Sequence, residues 1–122
     1  IFGSVSKARA KGTAGENYFL ERLRRMFGDD VERAPLKGID DDGDFVGVPW
    51  QHEAKNTQKP LFLKWARVAQ GKSTPWVILW KGDLRKSEGP YVLMDVRLYE
   101  ELVSALSAED HMAIATRAAE PA

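Results

Sequence analysis

Cysteine is absent from this chain, and histidine occurs only as His52 and His111. Without thiols the chain has no disulfide bonds and no thiolate ligands, so a structural zinc site is excluded. Long apolar runs are also missing, since none approaches the roughly 18 residues of a membrane-spanning helix, and no secretory signal pattern is visible. We therefore expect no membrane partner and a location in the cytoplasm, either of a cell or of an infected host.

An excess of charge of one sign is missing too, because 18 Lys and Arg residues balance 18 Asp and Glu residues. The charges are nevertheless segregated along the chain. Residues 1–37 hold eight bases and five acids, residues 56–86 hold seven bases and one acid, and residues 38–55 hold five acids and one base. Such a charge run is often only a solvated face. An acidic centre between basic segments is also what a cation-dependent, phosphate-binding site needs.

The apolar pattern predicts a single α/β domain. Hydrophobic residues make up 43% of the 122 residues and charged residues 30%, as in ordinary soluble globular domains. Apolar residues at helical spacing predict helices over 13–27, 61–69 and 98–106. Short apolar runs predict strands over 31–34, 44–48, 50–55, 76–80 and 91–96. This order predicts a mixed β-sheet flanked by helices, with the nearly continuous apolar run at 76–80 as its central strand.

The segment from Gly43 to Lys55 carries the strongest functional signal, because it places an acid and a Glu-x-Lys motif on neighbouring strands. Side chains alternate between the two faces of a strand, so Glu53 and Lys55 share one face and His52 lies on the other. Asp44 comes from the preceding strand. Two carboxylates can hold a hard divalent cation through oxygen, with a lysine beside its bound water. Hydrolysis of a phosphodiester needs those parts.

The identity of the aspartate ligand has alternatives, because Asp40, Asp41 and Asp42 precede Asp44. These three acids fall in a loop that contains glycine. A strand fixes a side chain more firmly than such a loop does, and we therefore favour Asp44.

Glu16 has two interpretations. It lies three residues before Phe19 and seven before Leu23, which places it on the apolar stripe of the first helix. The stretch from Thr13 to Glu16 also has the spacing of a capping box, in which Glu16 would bond only the first amide of the helix. Spacing alone leaves both interpretations open.

Taken together, these features resemble the PD-(D/E)xK nuclease superfamily, and within it the archaeal-type Holliday junction resolvases and their phage relatives. The resemblance covers roughly residues 7 to 100. It includes Lys11-Gly12 before the helix of Glu16, the strand that ends near Arg33, and the Asp and Glu-x-Lys strands, followed by a helix and an apolar strand. The chain lacks the Pro of the superfamily name before Asp44, and the loop over 37–42 is acidic where a small polar or basic loop is typical.

The resemblance implies a restriction-endonuclease-like fold and a set of roles for these residues. Asp44 and Glu53 would bind Mg²⁺, for which Mn²⁺ can substitute, with help from the main-chain carbonyl of Ala54. Glu16 would complete the metal shell directly or through water. Lys55 would orient or activate the attacking water. The implied catalytic residues are therefore Glu16, Asp44, Glu53 and Lys55.

The resemblance further implies a homodimer that cleaves branched or double-stranded DNA, in host cytoplasm if the protein is phage-encoded. We expect contacts with the DNA phosphates from seven basic residues, namely Lys7, Arg9, Lys11, Arg33, Lys59, Lys64 and Lys72. Two alternatives remain. The chain could be another nuclease of the superfamily, of the flap, repair or restriction type, or a DNA-binding module without catalytic activity.

This interpretation divides the chain into three segments. Residues 1–12 lack periodicity and are expected to form a mobile basic arm, residues 13–106 the nuclease domain, and residues 107–122 a C-terminal helix and tail. Gly71-Lys72-Ser73-Thr74 looks like the end of a nucleotide-binding loop, but Ala66 stands where that loop needs its first glycine. We therefore expect no nucleotide cofactor.

Overall fold

The computed structural model describes residues 2–34, 43–72 and 75–121, with the backbone alone for residues 2–12 and Leu84. The described part contains four α-helices, which are α1 (Phe2–Phe27), α2 (Phe62–Gln70), α3 (Val96–Ser104) and α4 (Ala108–Ala118). It contains five strands, which are β1 (Glu32–Arg33), β2 (Phe45–Val46), β3 (Gln51–Lys55), β4 (Trp76–Trp80) and β5 (Tyr91–Met94). A short 3₁₀ turn covers Leu84–Lys86.

The strands form two sheets within the described residues. β1 and β2 make an antiparallel pair, and β3, β4 and β5 make a second sheet in that order. β3 runs parallel to β4, and β5 runs antiparallel to β4. Parallel neighbours need a crossover connection, which α2 supplies between β3 and β4. The predicted α/β class with a mixed sheet is thereby confirmed, although the predicted strand around Asp44 pairs with β1 and not with β3.

β4 is the central strand, as predicted, and all five of its residues are buried. Its side chains alternate between two hydrophobic clusters. Val77 and Leu79 belong to a cluster with Phe19 and Leu23 of α1. Trp76, Ile78 and Trp80 belong to a cluster with Trp65 and Ala69 of α2. The two helices therefore cover opposite faces of the sheet, and each side chain of β3 faces either α1 or α2.

The first helix begins at Phe2, so the predicted helix start at Thr13 is wrong. Residues 2–12 contain no proline and several good helix formers, and these allow the helix to continue backward from the packed turns. Although α1 spans 26 residues, no helix in the described ranges is long and apolar enough to cross a membrane. The division of the chain at residue 12 stays a prediction.

The last two helices begin at caps that the local sequence supplies. The side chain of Asp95 accepts a hydrogen bond from the backbone N–H of Arg97 and so caps α3, which begins at Val96. Because the helix begins there, the strand predicted over 91–96 ends at Met94. Ser107 and Asp110 form the reciprocal bonds of a capping box at the start of α4. The structure thus contains a helix within the segment 107–122, and the division of the chain at residue 106 stays a prediction.

Gly43 allows the chain before β2 to approach β3. Its φ is +111°, and a Cβ added there would lie 2.8 Å from the backbone oxygen of His52. In the absence of that Cβ, the backbone N–H of Asp44 donates to the same His52 oxygen at 2.8 Å. The glycine therefore determines where Asp44 enters the structure.

We predict that Gly43→Ala lowers the free energy of unfolding by roughly 3 kcal/mol or more, because a steric clash adds to the strain of a positive φ. Gly28→Ala is the matched control, since Gly28 has φ +110° but nothing within 4 Å of the added Cβ. The Gly28→Ala substitution should lower the free energy of unfolding by only about 1–2 kcal/mol. Urea denaturation of both variants measures the difference, and equal losses would show that the contact with His52 is unimportant.

Candidate active site

Glu53 and Lys55 line a cleft of about 410 Å³ between β3 and α2. Gln51 lies on the same face, as strand alternation predicts, and Glu53 is in register with Ile78 of the α2 cluster. α2 adds Lys64 to the wall of the cleft, and Lys72 lies just beyond the end of that helix. The cleft therefore combines one carboxylate with three lysines.

A second cleft, of about 370 Å³, lies between α1 and β5. Phe19, Leu23 and Leu79 line it together with other largely apolar side chains, and no acid lies among its lining residues. The two clefts are similar in size, so their chemistry distinguishes them. We place the candidate active site in the cleft that contains Glu53.

Asp44 is attached to the outer edge of β3 at two points. Its backbone N–H donates to the oxygen of His52, and its Oδ2 accepts a hydrogen bond from the backbone N–H of Ala54 at 2.7 Å. The N–H and C=O groups of one strand residue point to the same side, so the carbonyl of Ala54 also faces the edge at which Asp44 lies. This geometry places the Asp44 carboxylate beside the Glu-x-Lys motif without direct pairing of β2 with β3.

The electrostatics of Asp44 reflect a half-buried carboxylate among other acids. The pKa of Asp44 is raised from 3.8 to about 7, mainly by burial and in smaller part by the negative charges of Glu53 and Glu16. The hydrogen bond from Ala54 and the positive charge of Lys55 oppose this shift of the pKa. Burial, with a smaller contribution from the neighbouring carboxylates, therefore makes the ionised form of Asp44 costly, and a bound cation would stabilise that form.

Glu53 already has polar partners. Its Oε1 accepts a hydrogen bond from Nε2 of Gln51 at 3.1 Å and lies 3.5 Å from Nζ of Lys72. The Glu53 side chain is 16% exposed and that of Lys72 is 31% exposed. The ion pair is therefore partly shielded from solvent.

Glu16 lies inside α1 and binds Arg33. Nη2 of Arg33 lies 2.6 Å from Oε2 of Glu16, and Nε donates to the same oxygen at 2.8 Å. Thr13 is also inside the helix, so the interpretation of Thr13 and Glu16 as a capping box is wrong. α1 approaches the end of β3 at Gly15, where an added Cβ would lie 2.8 Å from the Cβ of Asn56. This contact brings Glu16 near the candidate site from the α1 side.

The three acids do not form a compact metal cage. Among the described residues, no group of three or more His, Asp or Glu side chains is arranged to hold a metal ion. The reason is topological, because Glu53 faces α2 whereas Glu16 lies on α1, and Asp44 sits at the edge of β3 between them. Asp44 and Glu53 fit a hard divalent cation by donor type, since both supply carboxylate oxygens. A contribution from Glu16 stays a prediction.

The remaining predicted residues are distributed around this site. Asp40, Asp41 and Asp42 lie outside the described residues. Lys7, Arg9 and Lys11 lie on the first turns of α1, and Lys59 is exposed in the connection between β3 and α2. Lys64 and Lys72 line the cleft.

His52 lies on the face of β3 opposite Glu53, as strand alternation predicts, and it is packed in the interior. It is 3% exposed, its Nδ1 lies 2.9 Å from the oxygen of Trp50, and its ring contacts Phe27 edge-on. Burial lowers the pKa of His52, so the imidazole is neutral near pH 7 and Nδ1 donates to Trp50. It does not face the cleft and is not a candidate general base.

Two contacts in the site are not predicted by the sequence. The sequence predicts DNA contacts for Arg33 and Lys72, yet each of these residues contacts an acid, Glu16 and Glu53 respectively. The paired residues are 17 and 19 positions apart. No local pattern links residues at such separations, so the tertiary structure alone reveals these pairs.

Comparisons of the chain with family models, curated proteins and solved structures find no match. The functional interpretation therefore depends on the geometry of the site and on the resemblance of its motifs.

The raised pKa of Asp44 predicts that the metal-free protein loses stability as the pH rises. The folded protein binds this proton more tightly than the unfolded chain, so the stabilising contribution is full below about pH 4 and is lost as the pH rises through about 7. We expect a loss of up to about 3 kcal/mol between about pH 5 and pH 8 in EDTA, relative to Asp44→Asn.

Urea denaturation of both proteins across this pH range measures the difference. The amide of Asn can still accept the bond from Ala54, so the variant is a matched control. Adding Mg²⁺ at pH 8 should restore stability to the original protein but not to Asp44→Asn. Parallel pH profiles for the two proteins would contradict the assigned pKa.

Proposed function

We propose that this protein is a Mg²⁺-dependent DNA endonuclease of the PD-(D/E)xK type, with a restriction-endonuclease-like fold. The observation that carries the proposal is the position of Asp44, whose carboxylate is hydrogen-bonded to the strand that bears Glu53 and Lys55. Glu53 also raises the pKa of Asp44. Neighbouring carboxylates beside a lysine are the setting in which a hard cation promotes phosphodiester hydrolysis.

In this proposal, Asp44, Glu53 and the carbonyl of Ala54 would hold Mg²⁺ or Mn²⁺. Glu16 would complete the shell directly or through water. The metal ion, when bound, would supply Lewis-acid polarisation of the phosphate and a lower pKa for a bound water. The hydrogen bond from Ala54 keeps Asp44 against β3, so one ligand is oriented before the cation arrives.

Lys55 would orient the attacking water and offset the negative charge that develops on the phosphate oxygens. Its Nζ lies 5.7 Å from the centroid of the Trp65 ring, and this cation–π contact favours one position of the ammonium group. Trp65 is buried in the α2 cluster, so α2 helps to fix the position of the lysine.

We propose branched DNA as the substrate and a homodimer as the active unit, in line with the resemblance to Holliday junction resolvases. Symmetrical cleavage of a four-way junction requires two active sites. The lysines of the cleft, Lys55, Lys64 and Lys72, supply positive charge beside the proposed metal ligands. Binding to phosphates through such residues should weaken steeply as the salt concentration rises.

Two other functions fit parts of the same site. Another nuclease of the superfamily, of the flap, repair or restriction type, would use the same residues on a different DNA structure. A DNA-binding module without activity is favoured by one observation, the ion pair of Glu53 with Lys72, which neutralises a proposed metal ligand. Cleavage assays separate all three functions.

We predict that Glu53→Gln and Lys55→Ala each reduce nicking of supercoiled plasmid in Mg²⁺ by at least about 100-fold, because each removes a group that acts on the reacting phosphate. DNA affinity in Ca²⁺ should stay within a few fold. Lys86→Ala is the matched control for charge, since Lys86 is exposed and lies outside the cleft. Nicking that survives Glu53→Gln, or that persists in excess EDTA, would refute the proposed mechanism.

We predict that a four-way junction is cleaved at least about 10-fold faster than linear duplex of the same sequence. The chain should elute as a dimer when its mass is measured by light scattering. Cleavage of both substrates at equal rates by a monomer would remove the resolvase assignment and favour a general nuclease. Metal-dependent DNA binding without cleavage of either substrate would instead favour the DNA-binding module.

A further inference from the structure

Lys72 is held close to the end of α2. α2 ends at Gln70, and the backbone N–H of Lys72 donates to the oxygen of Ala69 at 3.1 Å. This bond fixes the start of the side chain, whose Nζ reaches across the cleft to within 3.5 Å of Oε1 of Glu53. The side chain keeps 31% of its surface exposed. The ammonium group is therefore positioned by the backbone and can still leave Glu53 for solvent or for a ligand.

The partner of Lys72 is a proposed metal ligand, and this makes the contact unusual. Glu53 is 16% exposed, and Gln51 donates to the same Oε1. A divalent cation that binds Glu53 and Asp44 would bring two positive charges close to the ammonium of Lys72. Like charges at such separations repel strongly in a partly shielded cleft. Lys72 and the cation therefore compete for Glu53.

The other lysines of the cleft have different positions. Lys55 lies over the Trp65 ring, and Lys64 lines the wall of the cleft. Among the side chains that the structure describes, Lys72 forms the only ion pair with Glu53. Lys64 thus carries the same charge in the same cleft without contacting the carboxylate, which makes it a matched control.

We infer that Lys72 is an exchangeable counter-cation of Glu53. In the metal-free protein it neutralises Glu53, and when a divalent cation binds, its ammonium group is displaced and becomes available to a phosphate of the DNA. This inference rests on the proposed function and deepens it. The exchange of Lys72 couples the binding of the divalent cation to the binding of DNA. Metal binding releases Lys72 for a phosphate, and a DNA phosphate that binds Lys72 leaves Glu53 open to the metal.

The first test measures metal affinity without DNA and without catalysis. Mn²⁺ binding, titrated by calorimetry or electron paramagnetic resonance, should be about 3- to 10-fold tighter in Lys72→Met than in the original protein, the scale of a partly exposed ion pair. Lys64→Met should change Mn²⁺ affinity by less than about 2-fold, because Lys64 forms no ion pair with Glu53 and its charge is screened by solvent. Equal effects of the two substitutions would overturn the inference.

The second test measures DNA affinity in EDTA and in Ca²⁺, which should support binding with little cleavage. In the original protein, DNA affinity should be higher in Ca²⁺ than in EDTA. This gain in DNA affinity should be smaller by about 3-fold or more in Lys72→Met, whereas Lys72→Arg should retain it. Lys64→Met should weaken binding equally in both conditions. An unchanged gain in Lys72→Met would show that Lys72 is a fixed structural pair, and circular dichroism of each variant checks folding.

The two proposals fail in different ways. If the original protein binds no Mn²⁺ and cleaves no DNA, the proposed function fails. If it binds Mn²⁺ and cleaves DNA, but Lys72→Met and Lys64→Met have the same metal affinity, only the exchange of Lys72 is refuted.

Discussion

The hydrogen bond from the backbone N–H of Ala54 to the carboxylate of Asp44 is the contact on which the candidate site depends. β2 does not pair with β3 in the described residues. Two hydrogen bonds between Asp44 and β3, one to the oxygen of His52 and one from the N–H of Ala54, hold the two segments together instead. They bring a half-buried carboxylate next to Glu53. The cost of this placement appears as the raised pKa of Asp44, whose first cause is burial and whose second is the charge of Glu53.

The surrounding bases moderate this concentration of negative charge. Lys72 pairs with Glu53, Arg33 pairs with Glu16, and Lys55 lowers the pKa of Asp44. The zero net charge of the chain thus has a local counterpart around the site. Basic residues that suit a phosphate partner also neutralise the acids of the protein itself. Exchange of such contacts is a physical route by which a cation and a polyanion can assist each other.

β4 organises the site although it carries none of the proposed catalytic residues. Its alternating side chains anchor α1 on one face and α2 on the other. The parallel register of β3 with β4 then directs Glu53 and Lys55 toward α2. Glu16 remains on the α1 side and reaches only the vicinity of Asp44. The candidate site is therefore assembled at the edge of β3 and not on one face of the sheet.

The sequence by itself determined the periodic features of this protein. Alternation around Glu53 predicted that Glu53 and Lys55 share one face and that His52 lies on the other, and the apolar run at 76–80 predicted the central strand, because these properties depend on neighbours in the chain. The capping interpretation of Glu16 and the helix start at Thr13 were wrong, because helical turns propagate beyond a local cap signal when no residue interrupts them. The tertiary structure alone decided the bond of Asp44 to Ala54, the pairs of Glu16 with Arg33 and of Glu53 with Lys72, and the placement of the acids on different sides of β3. Such contacts join distant residues through packing, which no local pattern encodes.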